Sequence, residues 1–528
     1  MKNISNYIKT TYDILVEKRS FEYDAKNMKS PKSYLVLEEL SKEIHQYNSI
    51  LSLLHWDQET YMPSGGITPR SQQISQLSTL IHEKRTSRTF KDHLEKLVSL
   101  STGKPKVKGL TSLQQATVRE WRKDFLRLGK LPASFVKTFS QVTSEATQIW
   151  ATAKKQDQFK LFAPFLERII DLNRKKAEIL GFEDHPYDAL LEGYEPCMTT
   201  RKIDRIFTDL KKELLTFLKT IRSRSQVNPD FLSKKVSDEK QKEISDWMMK
   251  YLPMDLAHTR LDFSSHPFSM ALHPQDSRIT SRILPHQFMS NIFSILHEAG
   301  HSFYEMGLTT KTWGTPMSEP TSLSIHESQS RWWETLIGRS FPFWKYHYSG
   351  LKKIVPSLKN ISLEKFYRAI NYVSPSPIRV EADEVTYCLH IILRFEIEQE
   401  LISGKLAVHD LPEYWRAKMK EYLGIIPKTD REGCLQDIHW SLGDFGYFPT
   451  YALGNLIAAQ FFSTFAKKHP DWEERVGLGE LGFIRDWLKS EVHIHGRRYN
   501  SEELVKKVTK KPLDPKYYCS YLKQKYCS

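Results

Sequence analysis

The sequence predicts a mainly α-helical protein with one short β-hairpin or small antiparallel sheet. Three observations carry this prediction. Only 22 of 528 residues are Gly, while Leu, Lys, Glu and Gln abound, a composition that favours helices over sandwiches of short strands. Apolar residues recur at helical spacing through most of the chain. One stretch, LDFSSHPFSMALHPQDSRITSRIL (261–284), breaks that rhythm: it alternates polar and β-branched residues in SRITSRI and holds two His-Pro pairs, as a small sheet does.

In chain order, residues 1–34 read as an N-terminal extension, and residues 35–528 as one large unit. LEELSKEIHQYNSILSLLHW (37–56) has helical spacing and ends at the turn-rich MPSGGITP; SQQISQLSTLIHEKR (71–85) and EKLVSL follow in the same style. TGKPKVKG (102–109), RSQVNPDFLSKKVSDEKQ (224–241) and YLPMD (251–255) read as connectors. The apolar YALGNLIAAQFF (451–462) is too short to span a bilayer and reads as a buried helix.

Composition also narrows the function. The formal charge is +14, but Lys and Arg are spread along the chain among 63 acidic residues, and the basic run KKVTKK (506–511) is short. That pattern describes a solvated surface rather than a nucleic-acid footprint. Five cysteines without a C-x-x-C pair point to reduced thiols, not to a disulfide framework or a zinc ribbon. The first twenty residues lack the apolar core of a signal peptide. The expectation is a cytoplasmic protein with neither a membrane nor a nucleic acid as partner.

The chemistry concentrates in FMSNIFSILHEAGHSFYEMGL (288–308). A helix started by Pro285 and the residues after it, and stopped at Gly307, would bury a stripe of Phe288, Ile292, Ile295, Ala299, Phe303 and Met306. His297 and His301, at i and i+4, then lie one turn apart and can converge on one ion. Glu298 projects some 100° round the helix from His297, where it can serve as a base without ligating. A catalytic zinc needs a third protein ligand and keeps its fourth position for water. Glu327, in SIHESQSRWWE (324–334), is the best candidate; the apolar Ile325, Trp332 and Trp333 suggest a covered helix, although an i+4 pair with Arg331 is the plain alternative. Glu305 lies too far along the same helix, and Glu319 precedes a proline.

At this point the chain resembles the M32 metallocarboxypeptidases, the family of thermostable carboxypeptidase 1 or carboxypeptidase Taq. The family's marks stand in order: HPF (266–268), DSRIT (276–280), HEAGH (297–301), HESQ (326–329), IRVEAD (378–383) and GCLQDIHW (433–440), joined by WDQETYMP (56–63), HPYDALLEGYEP (185–196) and FGYFPTYALG (445–454). The resemblance runs from about residue 35 to the C-terminus, the N-terminal extension being the one departure. It implies a large helical zinc-peptidase fold with a deep active-site groove and a homodimeric state. It implies one Zn2+ per chain, with Co2+ or Mn2+ able to fill the same ligands, held by His297, His301 and Glu327. Glu298 is then the general base on a zinc-bound water, in an enzyme that removes single residues from peptides with a free C-terminal carboxylate, broadly but with proline refused.

The resemblance further assigns Arg379 to the substrate carboxylate, a task suited to a guanidinium fork; the plain alternative is an ion pair with Glu381 or Asp383. His439, Tyr451 and Tyr447 are the implied oxyanion donors. His266, Asp276, Arg278 and Thr280 are expected to shape the sheet, and His493 and His495 to form a packing element. Two other readings compete: an oligopeptidase that cuts internally, and a binding protein with a structural metal, against which Glu298 counts.

Overall fold

The computed structural model describes residues 30–527. The predicted N-terminal extension lies, through residue 29, outside the described residues. From Lys32 on the chain is overwhelmingly helical. The helix expected at 37–56 runs Lys32–Thr60 (α1), and the next spans Ile67–Arg85 after a break at Ser64–Gly66. EKLVSL is helical only to Leu97; Val98 then bridges to Pro105. The connector 224–241 gives up its last residues to a helix, Asp238–Tyr251, because Ser237 accepts from the Lys240 amide and caps it.

Three apolar clusters organise the body. A small one gathers Tyr34, Leu37, Ile44 and Leu94 around Trp121, which sits on helix α2 (Ser112–Lys130). Polar contacts hold it to the rest: Arg497 reaches Glu120 (3.1 Å) and Asp124 (2.8 Å) on α2 and Glu319 (2.7 Å) in the body.

The irregular region forms three strands, β1 (Thr259–Phe263), β2 (Ser269–His273) and β3 (Asp276–Ser281), in the order β1-β3-β2. The sheet is therefore mixed, not antiparallel throughout. β2 and β3 make the hairpin, but β1 pairs parallel to β3; the SSHPF crossover carries the chain past the place that β3 then fills. The sheet lies on helix α3 (Phe288–Gly307), which begins three residues after Pro285. Buried polar bonds clip them together: Ser277 Oγ to Ser302 Oγ at 2.7 Å, and Ser281 Oγ donating to Asn291 Oδ1 at 2.6 Å. The predicted stripe of α3 is buried from Phe288 to Phe303. Met306 departs from it and is half-buried, near the helix end.

Helix α4 (Leu323–Arg331) is followed by a wide π-turn at Trp332–Ile337, a feature concentrated at functional sites. Trp332 and Trp333 are fully buried, each contributing about 3 kcal/mol of apolar burial. Helices α5 (Tyr387–Ser403) and α6 (Pro449–Lys468), the latter containing the apolar YALGNLIAAQFF, complete the surroundings of the site. No helix among the described residues is long and apolar enough to cross a membrane.

Candidate active site

Two glycines let the helices of the site touch. A Cβ on Gly300 of α3 would lie 2.6 Å from Ser330 Cα on α4. One on Gly454 of α6 would lie 2.6 Å from Glu327 Cγ. Any larger residue at either position would push α4 away, so these backbones close directly on the acid.

This packing brings His297, His301 and Glu327 together, with one potential ligand atom from each within 4.8 Å of the others. Glu327 Oε2 lies 3.6 Å from His297 Nε2 and 3.5 Å from His301 Nε2. Ligands at zinc distance in a tetrahedral site would be about 3.4 Å apart, so the donor set fits a divalent ion. The i+4 alternative for Glu327 also holds: Arg331 Nε donates to its Oε1 at 2.8 Å. The carboxylate divides its oxygens, one for the guanidinium and one, with Ser330 Oγ at 2.9 Å, toward the imidazoles.

Glu334 is a residue that sequence reasoning did not single out. Its Oε2 bonds His297 Nδ1 at 2.8 Å and lies 3.2 Å from Arg331 Nη1, the arrangement in which a carboxylate orients a ligating imidazole. Burial pushes Glu334 up, but Arg331 and His297 outweigh it and hold it down to about 2. Burial pushes His297 down, yet Glu327, Glu334 and Glu298 raise it to about 9. His301 falls well below the usual range through burial and the neighbouring His326 and His297. A field that retains a proton on His297 is a field that favours a metal cation in its place.

Glu298 is buried, and among the described residues its carboxylate forms no hydrogen bond or ion pair. Burial therefore dominates, and with Glu327 nearby it pushes the group up to about 7 against the pull of His297.

The two rejected acids have other partners. Glu305 accepts from His326 Nε2 at 2.9 Å, and His326 stacks on His301 with ring centroids 4.4 Å apart. Glu319 pairs with His45 at 2.8 Å and with Arg497. Both acids and His326 line a cavity of about 990 Å³, which thus opens beside the cluster. His493 bonds Gln329 Oε1 at 2.9 Å and packs on Tyr304, as a packing element should. Asp276 and Arg278 pair with each other, and Thr280 accepts from the Phe268 amide, as expected of residues that shape the sheet.

A second centre forms around Arg379. Its partner is neither Glu381 nor Asp383 but Asp437, of the GCLQDIHW stretch: Arg379 Nε and Nη2 lie 2.9 and 2.8 Å from Asp437 Oδ1. Asp437 Oδ2 takes Arg394, with Nε at 2.7 Å and Nη2 at 2.6 Å. Asp383 instead accepts from the Val385 and Thr386 amides and fixes the turn into α5. Both arginines are buried, and Asp437 is the one carboxylate in ion-pair range of either among the described residues. The centre therefore carries a buried excess positive charge. Burial would raise Asp437, but the two guanidiniums hold it far below the carboxylate range.

The three predicted oxyanion donors come together beside Arg379. His439 Nε2 is 3.1 Å from the Tyr451 hydroxyl, and the Tyr447 ring lies 5.3 Å from both His439 and Tyr451. Tyr451 also faces the Arg379 guanidinium at 5.0 Å. Burial, with Arg379 close by, pushes His439 down to about 4, so it is neutral.

Three converged ligand atoms, a buried excess of positive charge and nearby hydroxyls are parts that a peptidase reading a chain end needs. The profile of the carboxypeptidase Taq (M32) metallopeptidase family matches residues 36–526. The chain belongs to the M32 metallocarboxypeptidases. Carboxypeptidase 1 of Bacillus subtilis (strain 168) is 39% identical over 490 residues, covering 92% of this chain and 97% of that protein. Thermostable carboxypeptidase 1 of Thermus thermophilus is 39% identical over 506 residues, covering 94% and 98%. In three dimensions, Pyrococcus furiosus carboxypeptidase superposes with a TM-score of 0.91 at 37% identity, over 94% of this chain and 99% of that one. As a member of this metallopeptidase family, the chain is a metal-dependent carboxypeptidase acting on peptides.

Proposed function

We propose that this M32 metallocarboxypeptidase is a cytoplasmic, homodimeric zinc enzyme that removes single residues from free peptide C-termini, with broad specificity and proline refused. His297, His301 and Glu327 hold the ion, with Glu334 orienting His297 and Arg331 fixing Glu327. When bound, the zinc lowers the pKa of a water toward 7 and polarises the scissile carbonyl. The observation that carries the reading is Glu298: a buried carboxylate, free of partners, beside three converged ligand atoms.

The chain's own residues do the rest. Arg379, held edge-on by Asp437, offers its remaining N–H groups to the substrate's terminal carboxylate and so sets which peptide bond stands at the ligand cluster. Glu298 takes the proton of the attacking water and passes it to the leaving amine. Tyr451 and Tyr447, with neutral His439 orienting the first, donate to the oxygen on which negative charge develops. The cavity lined by His326 and Glu305 receives the remainder of the peptide.

The test incubates zinc-loaded protein with peptides in free-acid and C-terminally amidated forms, followed by mass spectrometry. Stepwise loss of single residues from the free acids alone, stopped by chelator, is expected. Internal cuts in both forms would make it an oligopeptidase.

A further inference from the structure

We infer that Tyr387 is a second substrate-binding group for the terminal carboxylate, donating its phenolic hydrogen beside Arg379. The inference rests on the reading of Arg379 given above and extends it to a residue outside the sequence motifs.

The donors and acceptors can be counted. A guanidinium has five N–H groups. Arg379 Nε donates to Asp437 Oδ1, Nη2 lies against the same oxygen, and Nη1 donates to the Tyr387 hydroxyl at 3.2 Å. One hydrogen on Nη1 and one on Nη2 remain, the pair that a carboxylate takes. The Tyr387 oxygen thus spends a lone pair on Arg379, and among the described residues its own hydrogen reaches no acceptor. A buried hydroxyl with an unspent donor is costly without a partner, and here it stands next to a site whose excess charge calls for an anion. The same carboxylate that fills the two N–H groups of Arg379 is within reach of that O–H.

The ring is fixed for this task. Arg331, whose Nε bonds the ligand Glu327, covers the Tyr387 face at 4.3 Å from the ring centroid. Tyr451 meets the same ring edge-on at 6.4 Å. One side chain therefore touches the guanidinium of each centre, Arg379 through its hydroxyl and Arg331 through its face. Substituting Phe removes the hydroxyl and leaves the face that Arg331 covers.

The test measures calorimetric binding of an acetylated dipeptide and of its C-terminal amide to zinc-loaded Glu298→Gln protein, which binds without turning over. Adding Tyr387→Phe should weaken the free acid about 10- to 100-fold, as loss of a hydrogen bond to a charged group does. It should leave the amide, the zinc content and the melting temperature unchanged. Unchanged free-acid binding would overturn the proposal, as would equal weakening of acid and amide, which would mean that Tyr387 acts only through Arg331 and the metal ligands. Arg379→Ala in parallel separates the two ideas: if it alone weakens the acid, the Arg379 reading stands and that of Tyr387 falls. If it has no effect, the Arg379 reading falls with it. Tyr387→3-fluorotyrosine, a stronger donor, should tighten the acid relative to the amide; no change would also count against the donor role.

Discussion

The two buried centres of this protein are opposite in sign and alike in construction. On α3, α4 and the π-turn that follows, three carboxylates (Glu298, Glu327 and Glu334) surround two imidazoles, and two of them, Glu327 and Glu334, share Arg331. Around Asp437, two guanidiniums share one carboxylate. Burying charge is tolerated only when it is balanced, and the two centres meet that demand differently. The first closes its charge by holding a proton on His297 beside Arg331, whereas the second leaves an excess of positive charge. On the proposed reading, the first centre suits a metal ion and the second a substrate carboxylate.

The foundations match as well. Glu195 accepts from the Ser324 amide (2.5 Å) at the start of α4, and Asp383 from the Val385 and Thr386 amides before α5. Burial pushes these acids up to about 7 and about 6 despite the bonds they accept. Helices α4 and α5 thus each start on a buried acid, where the amides and the helix dipole favour negative charge.

The sharpest way to break the comparison is at Glu298. Glu298→Gln should lower kcat about 10²- to 10⁴-fold while the protein retains its metal; steady-state rates and metal analysis decide this together, and retained turnover would remove the base. Next comes the anion side. Arg379→Ala should cost about 2–5 kcal/mol in kcat/KM with metal content unchanged, because Glu327 and its neighbours do not depend on it. An unchanged kcat/KM on free-acid peptides would end its role.

The third prediction concerns pH. Glu195 titrates at about 7 in the folded protein and near 4.3 unfolded, so the native state binds the extra proton between those values. Wild-type stability accordingly loses this contribution as pH rises from about 4.5 through 7. Glu195→Gln does not titrate. Its stability relative to wild type should improve by up to about 3 kcal/mol from pH 5 to pH 8, read from urea midpoints; a pH-independent difference would show that the acid is ionised throughout. The smallest effect is at Glu334. Glu334→Gln should weaken metal binding about 10- to 100-fold without touching the free-acid requirement, whereas a change in that requirement would mean that the two centres are not separable.

Much of the cation side was legible in the sequence because its spacing is local. His297 and His301 are one helical turn apart, and Glu327 lies on a short helix whose apolar neighbours announced burial. Glu334 stood inside the same stretch, seven residues after Glu327, but its approach to His297 depends on the π-turn that follows α4. The anion side was legible only in part. Arg379 came from its motif, yet its partner Asp437 is 58 residues away, and the nearer acids at 381 and 383 were equally reasonable by spacing. Tyr387 carried no signal at all, since a tyrosine on a buried helix is ordinarily core.

What the sequence determined by itself was the helical class and the helix that carries His297, Glu298 and His301, since each rests on periodicity or short spacing that any fold of this chain must respect, and the family, which rests on the resemblance of its ordered motifs. Tertiary structure alone decided which charges meet. Gly300 and Gly454 bring α4 against α3 and α6, β3 inserts between β1 and β2, and Arg379 pairs with Asp437 rather than with the acids beside it in sequence. Those choices follow from backbone approach and from the demand that buried charges find partners, and both are properties of the packed molecule rather than of any segment.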